Sequence, residues 1–282
     1  MIRRVGVVGC GLMGSGIVEV AARCGYEVVV REVTPVLLER GLDRIDASMQ
    51  RAVDRGKLEA AAREAARSRI RGTTSLTDVG NCDLVIEAVV EKMDEKKAVL
   101  RELDGLLRPE VIMASNTSSL SITEMAAVTA RPERVVGLHF FNPVPVMALV
   151  EIVRGLQTSE ATVQTVRAFA QSLGKTVVMA KDAPGFIVNR LLIPYLLDAI
   201  RVLELGVASR EDIDTAITLG LGHPMGPLTL MDFVGLDTTY YIAEAMFQEF
   251  KDDRYAPPPL LKQMVLAGWH GRKSGRGFYE YG

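Results

Sequence analysis

The segment "VGVVGCGLMGSGI" at positions 5–17 constrains this chain more than any other stretch. An apolar, strand-like run leads into Gly9-x-Gly11-x-x-Gly14, and an amphipathic helical pattern follows at once. In a strand–turn–helix setting the first glycine permits the tight turn, the second lets backbone approach a diphosphate, and the third lets helix and strand pack closely. Unpaired N–H groups at the helix start then face an anion at the positive end of the helix dipole. The expectation is a dinucleotide site whose loop is formed by Gly9, Gly11, Leu12, Met13 and Gly14. Five internal glycines and Glu19 also make the amino-terminal stretch "MIRRVGVVGCGLMGSGIVEVAARCG" poor material for the continuous apolar helix of a secretory signal.

A second element of the motif is Glu32, eighteen residues past Gly14 at the end of the next strand-like run. A carboxylate there accepts hydrogen bonds from a ribose 2′-hydroxyl and repels a 2′-phosphate, which selects NAD over NADP. Arg31 beside it complicates the choice, but successive strand residues point to opposite faces, so NAD stays the expected cofactor.

Strand-like runs alternate with helical patterns in "RVGVVG", "YEVVVRE", "CDLVIEA", "VIMASNT", "RVVGLHF", "ALVEIV" and "KTVVMA". That alternation predicts an α/β fold with a Rossmann-type, doubly wound, mostly parallel sheet covered by helices on both faces. After "KDAPGF" the strand patterns stop and long helical segments broken by glycine and proline take over. The expected domains are therefore 1–183, Rossmann-type, and 184–282, smaller and all-α. Some fifty residues separate the second strand from the one at Asp83, where a simple crossover needs about a dozen. The excess reads as a helical arm over about 35–71, hinged at Gly56. Positions 40–71 hold nine basic and five acidic residues. A solvated helix face is the plain reading of that skew, and a docking arm for a phosphorylated ligand the sharper one.

Globally, 33 basic and 35 acidic residues leave a net charge of −2, which argues against nucleic acid or an anionic membrane as partner. "FIVNRLLIPYLLDAIRVLEL" is broken by Arg190, Asp198, Arg201 and Glu204, so it reads as a buried or interface helix and not a membrane span. Cys10, Cys24 and Cys82 lack metal-ligand spacing; reduced thiols of a cytoplasmic protein are the expectation, with no metal site.

Open parallel sheets bind ligands outside the carboxyl ends of their strands. Polar residues collect there: Glu91 and Lys96, then Ser115 to Ser118, then His139 and Asn142. A dehydrogenase acting on an alcohol must remove the hydroxyl proton as hydride leaves carbon. Histidine titrates near neutrality, and a carboxylate on its other nitrogen fixes the tautomer and stabilises the imidazolium. Glu151 can be that carboxylate if "NPVPVM" turns the chain back as a neighbouring strand. The alternative is a satisfied core histidine and an edge-strand glutamate. His223 and His270 lie in glycine-rich turns and read as structural.

With "GCGLMGSGI", "CDLVIEAVVEKMDEKK", "ASNTSSLSITE", "GLHFFNPVPVMALVEIV", "DAPGFIVNRLLIPYLLDAI", "EDIDTAITLGLGHPMGPLTLMDFVGLD" and "GRKSGRGFYEY" in view, the chain resembles the L-3-hydroxyacyl-CoA dehydrogenase family nearly end to end. The resemblance implies reversible, NAD-dependent oxidation of a short-chain (S)-3-hydroxyacyl-CoA to the 3-oxoacyl-CoA. It implies His139 as general base, Glu151 as its orienting carboxylate, and Ser118 and Asn189 as partners of the reacting oxygen or thioester carbonyl. Glu91, Lys96, Ser118, Asn142 and Lys273 match positions lining the nicotinamide half of the cofactor site. Ser48 and Arg55, with Arg51 nearby, match the coenzyme A arm. Here arginine stands at position 55 where relatives carry lysine, and its planar fork meets phosphate differently. A homodimer formed through the helical domain is also implied. Two other readings compete: a two-domain NAD(P)-dependent dehydrogenase of other hydroxy acids, and a non-catalytic NAD-binding relative.

Overall fold

A computed structural model describes residues 2–282, which divide into two compact units meeting at Ala183 and Pro184. The first unit opens with β1 (Arg4–Val8), α1 (Leu12–Arg23) and β2 (Glu27–Arg31), followed by α2 (Pro35–Asp54), α3 (Ala60–Ser68) and β3 (Ile70–Thr73). It continues with β4 (Leu84–Glu87), α4 (Met93–Leu106), β5 (Ile112–Ser115), α5 (Ile122–Ala126), β6 (Val135–Phe140), β7 (Leu149–Arg154), α6 (Glu160–Ser172) and β8 (Thr176–Lys181). The strands form one sheet in the order β3-β2-β1-β4-β5-β6-β7-β8. Every neighbouring pair is parallel except β6 and β7. In β4, β5 and β6 residues of both parities are buried, so both sheet faces are covered, as the continuous Val/Ile/Leu character of these strands requires. The core runs from Val5, Val7, Val28 and Val30 through Leu84 and Ile86 to Phe140 and Val150.

The sequence reading of the fifty-residue crossover needs correction. It contains a strand as well as helices, because β3 pairs with β2 as the edge of the sheet. Only Ile70 of "IRGT" is buried, so no apolar alternation announces it. The arm itself follows its sequence signals. Thr34 caps α2 by accepting the Leu37 N–H, Pro35 fills the first helical position, and Gly56 (φ +65°) takes the left-handed turn after the helix. Gly41, Ile45 and Met49, spaced one turn apart, form its buried stripe.

The second unit comprises α7 (Val188–Glu204), α8 (Arg210–Gly220), α9 (Pro227–Val234), α10 (Leu236–Phe250) and α11 (Pro259–Leu266). Ile193, Leu196, Leu197 and Ile200 are the inward stripe of α7, at the spacing of an amphipathic helix. Among the described residues no helix is long and apolar enough to cross a membrane. Asp232 on α9 is buried and accepts the N–H groups of Phe278 and Tyr279, each at 2.9 Å, and the Tyr281 hydroxyl at 3.0 Å. One carboxylate thus pins the C-terminal segment. Asp232→Ala leaves those N–H groups buried without an acceptor; we expect a loss of at least about 2 kcal/mol, read as a lower urea midpoint for the helical unit, and an unchanged midpoint would show that water satisfies them.

Candidate active site

The glycine loop takes the conformation its sequence demands. Gly9 has φ +100°, and a Cβ there would lie 2.5 Å from the Ala88 carbonyl oxygen, where the chain leaves β4. A Cβ at Gly14 would lie 1.9 Å from the Gly9 carbonyl oxygen, so this turn of α1 can approach the loop only as glycine. At Gly11 a Cβ would meet nothing within 4 Å, which leaves exposed backbone bordering open space at the start of α1. Gly11 is also the N-cap and supplies no side-chain acceptor, so the first N–H groups of the helix keep their capacity for an anion. These residues fit a dinucleotide diphosphate. Beside them, Glu32 Oε1 accepts the Cys10 N–H at 2.7 Å and Oε2 accepts the Val33 N–H at 3.0 Å. Glu32 is therefore tied to the glycine loop by its own carboxylate. Burial pushes the Cys10 thiol up to about 12, so it packs as a neutral group.

Along the rim, Lys96 is 1 % exposed, with its ammonium 2.8 Å from Glu87 and 3.1 Å from Glu91. It supports Glu91 and does not face solvent. Glu87, fully buried at the end of β4, also accepts the Ser115 hydroxyl at 2.6 Å and the Val89 N–H at 2.7 Å. Glu91 in turn accepts the Thr117 hydroxyl and the Ser118 N–H, and lies 3.3 Å from the Ser118 hydroxyl. Desolvation pushes the Glu91 carboxyl upward, but Lys96, Thr117 and Ser118 outweigh it and hold the group below the usual carboxylate range.

His139 and Glu151 sit directly opposite each other in the antiparallel β6–β7 pairing. Directly opposed residues share a sheet face, and here Nδ1 lies 2.7 Å from Oε2, with Glu151 fully buried. Two side chains hold this corner. Asn116 Oδ1 accepts the Phe140 N–H at 3.0 Å, joining the ends of β5 and β6. The buried Lys175 ammonium donates to the carbonyls of Val144 (2.6 Å) and Met147 (2.8 Å), closing the turn between β6 and β7. Asn142 is exposed on that turn.

A cleft in the first unit is lined by Leu12 and Ser15 of α1, Arg44, Ser48 and Arg51 of α2, and Asn142 with the prolines beside it. Ser48 and Arg51 of the arm are thus brought beside the glycine loop, whereas Arg55 does not line this cleft. In the second unit, Asn189 lies half-buried in the first turn of α7, and Lys273 forms an ion pair with Asp237 at 2.5 Å. His223 lies 3.4 Å from the Tyr195 hydroxyl, and His270 Nε2 lies 3.2 Å from the Val265 carbonyl. No group of three or more metal-ligating side chains occurs among the described residues. Glu87, Arg44 and Lys175 escaped the sequence reading. Glu87 stands out only as an acid inside "DLVIEAVV", and nothing marks the other two.

This sheet, its glycine loop and the histidine–carboxylate pair on its rim define a nucleotide-dependent oxidoreductase. Residues 4–183 match the model of the 3-hydroxyacyl-CoA dehydrogenase NAD binding domain, and residues 185–281 match that of the C-terminal domain of 3-hydroxyacyl-CoA dehydrogenase. The chain belongs to the 3-hydroxyacyl-CoA dehydrogenase family. It is 54 % identical to a 3-hydroxybutyryl-CoA dehydrogenase of Mycobacterium tuberculosis over 282 residues, covering 99 % of each chain. A 3-hydroxybutyryl-CoA dehydrogenase of Bradyrhizobium diazoefficiens is 47 % identical, with 100 % of this chain and 96 % of that protein covered. The crystal structure of (S)-3-hydroxybutyryl-CoA dehydrogenase from Ralstonia eutropha superimposes with a TM-score of 0.96 at 47 % identity, covering 100 % of both chains.

The Glu91 environment sets a pH dependence. A carboxyl whose folded value is depressed contributes stability above its unfolded value, about 4.3 for glutamate, and loses that contribution as pH falls through the lower folded value. Glu91→Gln should therefore flatten the acid limb of the stability–pH curve below about pH 4; an unaltered limb would show that the partners of Glu91 do not act on its ionised form.

Proposed function

We propose that the chain catalyses reversible, NAD-dependent oxidation of a short-chain (S)-3-hydroxyacyl-CoA, such as (S)-3-hydroxybutyryl-CoA, to the 3-oxoacyl-CoA. The observation that carries this reading is the buried His139–Glu151 pair on the rim that also bears the glycine loop. NAD, held by Gly9, Gly11, Leu12, Met13, Gly14 and Glu32, supplies the hydride acceptor. The hydroxyl proton falls to the protein. With its Nδ1–H donated to Glu151, His139 takes that proton at Nε2, and the adjacent carboxylate stabilises the resulting imidazolium. In the reverse direction the same nitrogen returns it.

In this reading the Ser118 hydroxyl and the Asn189 amide bind the reacting oxygen or thioester carbonyl. Glu91, Lys96, Asn142 and Lys273 frame the nicotinamide half of the cofactor. Lys96 acts through Glu91, which its ammonium keeps ionised. Ser48, Arg51 and Arg55 hold the phosphates of coenzyme A along the arm, arginine offering them a bidentate fork. The all-α domain, residues 184–282, supplies Asn189 and the homodimer surface of a cytoplasmic enzyme. Leu191, Leu205, Val207 and Leu219 of this unit are mostly exposed, which supports such a surface. Light scattering on the purified protein should return about twice the 30.7 kDa chain mass; the mass of one chain would remove the dimer.

Activity is read by following NADH oxidation at 340 nm with acetoacetyl-CoA. The native protein should turn over with NADH and poorly with NADPH. His139→Ala should lose about 10²–10⁴-fold or more in kcat while still binding NADH. A native protein that binds NADH but is inert towards the thioester, or a variant that turns over normally, would contradict the reading.

A further inference from the structure

Cys10, between the first two glycines of the motif, is held on three sides. Its N–H donates to Glu32 Oε1 at 2.7 Å, its carbonyl accepts from Arg44 Nη1 at 3.1 Å, and its side chain is sealed against α2. That seal is close: a Cβ at Gly41 would lie 2.4 Å from Cys10 Sγ and 2.8 Å from its carbonyl oxygen. The helix therefore rests directly on the loop. Arg44 follows Gly41 by three residues, Ser48 follows by four more and Arg51 by three more, so all lie along one face of α2. Arg44, Ser48 and Arg51 line the same cleft as Leu12, the residue that opens α1.

We propose that Arg44 is a positioning residue through which the coenzyme A arm and the dinucleotide loop raise each other's affinity. The proposal rests on the substrate reading above, which places acyl-CoA phosphate groups on this face of α2. A guanidinium has five N–H donors in a rigid fork, and the Cys10 carbonyl accepts from one of its nitrogens. An anionic group bound by the remaining donors immobilises the fork and holds its bond to Cys10. The peptides on both sides of Cys10 are then fixed, keeping the Cys10 N–H on Glu32 and the loop in register for NAD. Linkage makes the effect reciprocal: bound NAD, by ordering the loop, orders Arg44 for the thioester ligand.

Calorimetric titration of NAD into the whole protein, with and without saturating acetoacetyl-CoA, tests this directly. Both ligands are on the oxidised side, so no turnover intervenes. For the native protein we expect acetoacetyl-CoA to tighten NAD binding by at least about fivefold, the lower end of ordinary coupling. In Arg44→Met that ratio should fall below about twofold while acetoacetyl-CoA still binds. If Arg44 served only to shape the loop, the variant would weaken NAD equally in both titrations and keep the native ratio. A native ratio of one, or an unchanged ratio in the variant, overturns the coupling alone. Failure of the native protein to bind acetoacetyl-CoA overturns both the substrate reading and the coupling built on it.

Discussion

His139 and Glu151 meet across the antiparallel pairing of a sheet whose other neighbours run parallel. The reversal follows from chain length: eight residues join β6 to β7, too few for the crossover a parallel pair needs. Glu151 is fully buried, and a buried carboxylate is tolerable only when paired and hydrogen-bonded. The pair therefore also disciplines the register. A slip of one residue would turn Glu151 to the other face and leave both groups uncompensated. Asn116 on one side and Lys175 on the other hold the corner in which this contact is made.

The same logic recurs around Lys96. Glu87 at the end of β4 and Ser115 at the end of β5 are joined by a hydrogen bond, and the ammonium completes a buried network that extends through Glu91 to the Ser118 backbone. Strand order reverses between β1 and β4, which is where open sheets of this type form their crevice. The loop after β1 touches the chain leaving β4 at Ala88. Positioned polar and charged groups are thus concentrated at the carboxyl ends of β4, β5 and β6 and in the amino-terminal half of the antiparallel β7.

Much of this was legible in the sequence. The glycine loop could be read because Gly9 and Gly14 each answer a distinct steric demand and Gly11 leaves backbone open between them, and the His139–Glu151 contact because a short proline-containing turn between two apolar runs leaves few alternatives to a hairpin. Other features have no local signature. β3 is an edge strand with one buried side chain, so its pairing appears only when β2 is beside it. Glu87 looks like any strand residue until Lys96, nine positions later, folds back onto it. Arg44 was visible only as one of several charges on the arm. Its meaning depends on Gly41 allowing α2 onto the loop, a close approach that the sequence records as a single missing Cβ.

The central claim is that Glu151 fixes the tautomer of His139, so that Nε2 is the nitrogen that exchanges the substrate proton. The most direct test is ¹⁵N NMR of the protein labelled at its three histidines, with His139 assigned by substitution. The account predicts that the neutral His139 ring carries its proton on Nδ1, and that Glu151→Gln abolishes this preference. A neutral ring protonated on Nε2 in the native protein, or a tautomer indifferent to Glu151→Gln, would contradict it.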